Sequence, residues 1–248
     1  MSGLRQRVDE ARLAFLFLTR VPVGRLEEPL PSLAAARWAF PFAGLIVGGV
    51  GWAVFALAGK TGLQGLLQGL LAYGAMVLVS GALHHDGLAD LADGLGGGRD
   101  KEHCLEIMAD PRIGSFGVIA LILAIAIGVG GIAEAGAVFG LGFLAIAVAS
   151  RVAMAVVLVA LPSARGEGLG RDAAGTGGGD MLPGAILAAV LLVLLGAPGL
   201  MAGLAMAGVG ALVAWRAHRR LGGQTGDVAG AVQVSSEAAG WVALAALS

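Results

Sequence analysis

The chain has 248 residues, 57% of them hydrophobic and 13% charged, with a formal net charge of −1 and a mean hydropathy of +0.86. Soluble domains carry about 25% charged residues, so a water-solvated globule is excluded and a chain solvated by lipid is expected. A near-neutral balance gives no ground for a nucleic-acid partner. A single cysteine, Cys104, excludes an internal disulfide and a cysteine-only zinc site.

The chain opens on 5–19, which has the mixed charge and apolar spacing of an amphipathic helix lying at a membrane interface. Its apolar run 11–18 is short, stands beside Asp9, Glu10 and Arg12, and lacks a small-x-small cleavage site, so no removable signal peptide is expected. A helical crossing needs about 20 apolar residues. That ruler gives spans at 38–58, 63–83, 116–132 and 137–161. A fifth and sixth, 182–195 and 200–215, are split at Ala197-Pro198-Gly199. A weaker seventh, 228–247, is diluted by Gln233, Ser235, Ser236 and Glu237. The expected fold is therefore all-α: a polytopic integral membrane bundle of about six or seven transmembrane helices, forming a single transmembrane domain over 1–248. Forty-three glycines suit close helix packing in lipid.

Orientation follows from the sixteen Lys and Arg residues. Arg5, Arg7, Arg12, Arg20, Arg25 and Arg37 precede the first span. Arg99, Lys101 and Arg112 fall between the second and third, Arg165 and Arg171 between the fourth and fifth, and Arg216, Arg219 and Arg220 between the sixth and seventh. Lys60 alone lies opposite, and Arg151 lies inside the fourth span. The positive-inside rule makes the charged side cytoplasmic, and in a bacterium this implies a multi-pass inner-membrane protein with its polar loops facing the cytoplasm.

The longest polar stretch begins His84-His85-Asp86-Gly87-Leu88-Ala89-Asp90-Leu91-Ala92-Asp93. On a helix the three aspartates share one face within an arc of about 60°. Anions held this close call for a cation, and oxygen donors without thiols favour Mg²⁺, Mn²⁺ or Ca²⁺ over zinc. Asp86, Asp90 and Asp93 are thus the candidate metal ligands, with His84 and His85 candidate bases or further ligands. Asp110 and Arg112, flanking Pro111, form either a local ion pair or a phosphate-binding pair. Arg151, placed inside a span, reads as functional unless a partner such as Glu237 neutralises it. Gly222-Gly223-Gln224-Thr225-Gly226-Asp227 opens the last span, where glycines and a helix N-terminus suit a phosphate.

These blocks resemble the cobalamin synthase family, also called adenosylcobinamide-GDP ribazoletransferases or cobalamin-5′-phosphate synthases. The likeness runs through Phe17-Leu18-Thr19-Arg20-Val21-Pro22, Phe40-Pro41, the aspartate block, Glu106-Ile107-Met108 with Asp110 and Arg112, Ser150-Arg151, Glu167-Gly168-Leu169-Gly170 and the 222–227 block. His85 departs from the apolar residue expected there. The resemblance implies a Mg²⁺-dependent transferase in the late, nucleotide-loop-assembling steps of coenzyme B12 biosynthesis. Its substrates would be adenosylcobinamide-GDP and α-ribazole or its 5′-phosphate, and GMP would be released. By the same resemblance Asp86, Asp90, His84, Arg112 and Arg151 are the catalytic candidates. Arg20, Asp110, Gly223, Gln224, Thr225 and Asp227 are the substrate-binding candidates. Self-association into a homo-oligomer is left open.

Two rival readings use the same physics. A CDP-alcohol phosphotransferase also carries clustered aspartates on membrane helices, but its Ala-Arg pair is replaced here by Ala89-Asp90. An ion-coupled transporter predicts midplane carboxylates and inverted repeats, and no repeat is visible.

Overall fold

The computed structural model describes residues 3–174 and 181–248. The expected glycine-rich loop tip at 177–180 lies outside the described residues. The described chain is all-α: α1 (Gly3–Leu18), α2 (Leu33–Ala36) running through a 3₁₀ turn (Arg37–Ala39) into α3 (Phe40–Lys60), α4 (Leu66–Ser80), α5 (Leu83–Gly97), α6 (Lys101–Ile107), α7 (Ser115–Ala135), α8 (Gly142–Ala160), α9 (Leu169–Ala174), α10 (Leu182–Leu194), α11 (Gly196–Leu221) and α12 (Gly226–Ala245). Its one β-type contact is an isolated parallel bridge between Ser163 and Gln224.

Four helical stretches among the described residues are long and apolar enough to cross a membrane: Leu33–Lys60, Ser115–Ala135, Gly142–Ala160 and Gly196–Leu221. A fifth is reached if α4 and α5 count as one broken span, since the two are bent by 91°. That bend corrects the continuous span expected at 63–83. Gly81 (φ +66°) and Ala82 (φ +59°) both adopt the left-handed region. This is free for glycine and costs alanine about 1–2 kcal/mol. The chain therefore stops climbing and α5 turns across the end of the bundle. The expected fifth span is only 13 residues long as α10.

α12 is a helix of 20 residues that packs against α5, α7, α8 and α11. Its dilute hydropathy has a structural cause: it is the central helix. Gln233, Ser236 and Glu237 are buried against protein rather than facing outward. The Gln233 amide donates to Glu237 (2.6 Å) and to Ser150 (3.0 Å), and Ser236 donates to the Met206 carbonyl (3.1 Å). Trp241, fully buried, stacks edge-on against Phe143 at 4.8 Å between centroids.

The exterior is the reverse of a soluble protein. Leu78, Leu204 and Ile122 are 78%, 69% and 61% exposed. Apolar patches on that scale are not tolerated in water. Small residues take the inside, because without a hydrophobic driving force helices associate through close backbone approach. α3 and α8 meet in this way. A Cβ on Gly44 would lie 2.6 Å from the Ala147 carbonyl oxygen and 2.8 Å from Val148 Cα. Both obstacles are backbone and cannot rotate aside, so Gly44→Val should separate the pair. The expected loss is at least the 1–3 kcal/mol typical of overpacking, read as a fall in Tm of the detergent-solubilised protein.

Candidate active site

One end of the bundle gathers the end of α1, the starts of α3, α5 and α12, the end of α8 and the 162–171 loop around a cavity of about 250 Å³. Two backbone approaches and a turn hold these pieces together. The 162–164 loop runs beside 222–224: the Gln224 N–H donates to the Pro162 carbonyl and the Ala164 N–H to the Gln224 carbonyl, each at 2.8 Å. Gly222, at φ +75°, ends α11 and lets the chain turn there. Gly170 lies against the Thr225–Gly226 backbone, and the buried Gln224 side chain donates to the Gly170 carbonyl at 3.1 Å. Gly223 and Gln224 thus stitch the loop to the bundle, while Thr225 and Asp227 face the cavity. The Thr225 hydroxyl caps α12, accepting from the Val228 N–H at 3.2 Å.

The three aspartates of α5 separate. Asp86 is exposed and lines the cavity, and Asp90 is half-buried one turn on. Asp93 is buried and accepts the backbone N–H groups of Gly114 (2.7 Å) and Gly117 (2.9 Å) at the start of α7. The one-face spacing is right, but α7 occupies one end of that face. In place of Asp93, Asp227 is brought up by the first turn of α12, which presses on Gly87. A Cβ at Gly87 would lie 2.9 Å from Asp227 Cα. The cluster is electrostatically loaded. Burial, then repulsion from Asp86, Asp227 and Asp93, pushes the Asp90 carboxyl up to about 6, against the opposing pull of Arg165. Arg165 is the near cation, 3.6 Å from Asp227.

Among the described residues no three His, Cys, Asp or Glu side chains converge closely enough to hold a metal ion by themselves. The donors that are near one another, Asp86, Asp90 and Asp227, are all hard oxygens. They suit Mg²⁺, which is commonly held by one or two carboxylates with water and substrate phosphate completing its shell. The residues therefore fit the ion as a shared protein–substrate site rather than as a closed cage.

His84 is 3% exposed, lines the cavity and has a buried Nε2 without a hydrogen-bond partner. Several other sequence candidates lie elsewhere. Asp110 and Arg112 pair with each other in the turn before α7 (Arg112 Nη2 to Asp110 Oδ2, 2.6 Å), and Arg112's hydrogen bonds pull Asp110 down to about 2. Arg151 is buried in the bundle, 3.8 Å from Glu237 and donating to the Ala147 carbonyl at 2.9 Å, so the structural partner anticipated for it is present. Arg20 lies on an adjoining cavity.

The model of the family described as cobalamin-5-phosphate synthase matches residues 10–245. The chain belongs to that family. An adenosylcobinamide-GDP ribazoletransferase of Mesorhizobium japonicum is 41% identical over 241 residues, covering 95% of this chain and 92% of the relative. Those of Bradyrhizobium diazoefficiens (38%, covering 94% and 92%) and Xanthobacter autotrophicus (42%, covering 90% and 89%) bear the same name. No solved structure matches the chain.

This member of the cobalamin-5-phosphate synthase family is therefore an enzyme, and the cavity is its candidate active centre. Sequence spacing missed Arg165, Met154 and Leu158, which share the cavity wall with Phe40 of the Phe40-Pro41 block. None lies in a polar cluster, and only Arg165's place in a loop of the charged side offered a signal. The two aspartate environments separate by experiment. Asp93→Ala leaves two backbone N–H groups at the start of α7 without acceptors and should cost about 1–3 kcal/mol of stability, seen as a lowered Tm. Asp86→Ala, at an exposed position, should leave Tm within a degree or two of the parent.

Proposed function

We propose that the chain is a membrane-embedded transferase that joins adenosylcobinamide-GDP to α-ribazole, or to α-ribazole 5′-phosphate, and releases GMP. The shared name of the relatives supports the substrates. The observation that carries the chemistry is the meeting of Asp86, from α5, and Asp227, from α12, on the wall of one cavity beside Arg165. Clustered carboxylates of this kind are costly without a cation, and a pyrophosphate is a substrate that brings one.

Asp86, Asp90 and Asp227 would hold Mg²⁺, which when bound neutralises phosphate charge and polarises the phosphoryl oxygens. The remaining work falls to the chain. The first turn of α12 offers backbone N–H groups and a helix dipole to phosphate oxygens. Arg165 orients Asp227 and adds positive charge at the same wall. His84 Nε2, buried and without a partner, accepts the proton of the attacking ribose hydroxyl. A bond forms between that oxygen and the phosphorus bearing the cobinamide. The bridging P–O bond breaks, and its electron pair leaves with GMP. In this reading Arg151, paired with Glu237, steadies α8 against α12 rather than touching phosphate. Asp110 and Arg112 serve the turn before α7.

The topology that accompanies this reading has six or seven crossings, counting α4, α10 and α12 beside the four longer stretches, with α1 on the surface and α5 across the end of the bundle. α1 buries Glu10, Ala14 and Leu18 and leaves Leu4 and Val8 outward, as a helix between protein and lipid would. Fourteen of the sixteen basic residues then fall on the cavity side, which the positive-inside rule makes cytoplasmic, where nucleotides are found. An inner-membrane location follows from the same rule.

The test is GMP release by purified enzyme in detergent with adenosylcobinamide-GDP, α-ribazole and Mg²⁺. Asp86→Ala, Asp90→Ala and Asp227→Asn should each lower the rate by about 10²-fold or more. Chelation should abolish it and added Mg²⁺ restore it. Full activity in folded Asp90→Ala or Asp227→Asn enzyme would sink the ligand assignment.

A further inference from the structure

Two cavities meet at Asp86. The second, of about 430 Å³, lies beyond the end of α1 and has Thr19, Arg20, Ser80 and Gly81 on its wall. Phe17, Leu83 and Asp86 line both chambers and so form the partition between them. Arg20 is held in place from its backbone, whose N–H donates to the Val79 carbonyl at 2.7 Å. Its guanidinium lies over the bare face of Gly81, where a Cβ would come within 2.9 Å of Arg20 Cζ. Arg20 makes no ion pair among the described residues, whereas Arg165 and Arg151 each have a carboxylate.

Resting on the reaction proposed above, we propose that the partition separates the two substrates: the His84 chamber takes the ribazole nucleoside, and the Arg20 chamber takes the GMP end of adenosylcobinamide-GDP. The first argument is stereochemical. Phosphoryl transfer places the attacking and leaving oxygens roughly in line on opposite sides of the phosphorus. A phosphorus held at Asp86 thus needs a nucleophile pocket on one side and a leaving-group pocket on the other, and Asp86 borders both chambers. The second argument is chemical. His84, the available proton acceptor, lines the first chamber and not the other. Beside its charged side chains that chamber has an apolar wall of Phe40, Met154 and Leu158, which suits an uncharged heteroaromatic base. The Arg20 chamber supplies an uncommitted guanidinium, suited to the dianionic phosphate that departs. A corrin macrocycle is too large for either chamber, so the cobinamide remains outside with only its phosphate at the partition.

Arg20 is therefore a specificity residue for one substrate. In Arg20→Ala the KM for adenosylcobinamide-GDP and the inhibition constant of GMP should both rise about tenfold, the loss of one charge-assisted contact, and the KM for α-ribazole should stay within twofold. Arg20→Lys should recover part of the GMP affinity, which a purely structural role at Gly81 would not produce. In the unaltered enzyme GMP should compete with adenosylcobinamide-GDP and not with α-ribazole. Competition between GMP and α-ribazole, or an Arg20→Ala effect on the α-ribazole KM as large as on the other, would overturn the division. Failure of the underlying site is distinguishable: it shows as full turnover in Asp86→Asn, which would remove the division with it.

Discussion

α5 and α12 touch backbone to backbone at the charged end of the bundle, and the candidate site is built on that crossing. Gly87 admits the first turn of α12 beside Asp227, and Gly230 admits the start of α5, where a Cβ would lie 3.1 Å from His84 Cα. Side chains at either glycine would hold the helices apart. The carboxylates of the two elements would then sit in separate solvent shells, and the repulsion that makes them a cation site would be screened away. In contact, they raise one another's affinity for protons or for metal. Asp90 registers this as a carboxyl pushed up to about 6, first by burial and then by its neighbours.

The rest of the fold serves the crossing. The left-handed pair Gly81–Ala82 turns α5 by 91° out of the line of α4 and lays it across the bundle end. Asp93 anchors its far half by capping α7 through two backbone bonds. α12 is fixed along its length by polar contacts that only a protein interior rewards: Gln233 to Glu237 and Ser150, and Arg151 at 3.8 Å from Glu237. Breaking one partner of a buried ion pair leaves an uncompensated charge and costs about 3–5 kcal/mol. Those residues therefore hold α8 and α12 together, and through α12 they hold Asp227 to the cavity.

Charge is also sorted by distance from the chemistry. Arg165 answers Asp227 on the cavity wall, Arg151 answers Glu237 in the bundle and Arg112 answers Asp110 in an exposed turn. Arg20 pairs with no carboxylate among the described residues and lies on a cavity that Asp86 also lines. A phosphotransferase needs some positive charge uncommitted, since a guanidinium already neutralised within the protein has little to offer a departing anion.

Composition and spacing were enough to fix the helical class, the family resemblance and the uneven distribution of charge along the chain, because hydropathy and the helical repeat are local properties of the chain. The aspartate spacing also placed Asp90 and Asp93 on one helical face, but spacing carries no information about what covers that face. Tertiary packing decided that Asp93 caps α7, that Asp227 comes up beside Asp86, and that Arg151 meets Glu237, a carboxylate that Ser150 also reaches across 87 positions of sequence. It also decided that α12, weak by hydropathy, is the central helix. Long-range neighbours set burial, and burial determines whether a polar side chain becomes a ligand, a cap or a strut.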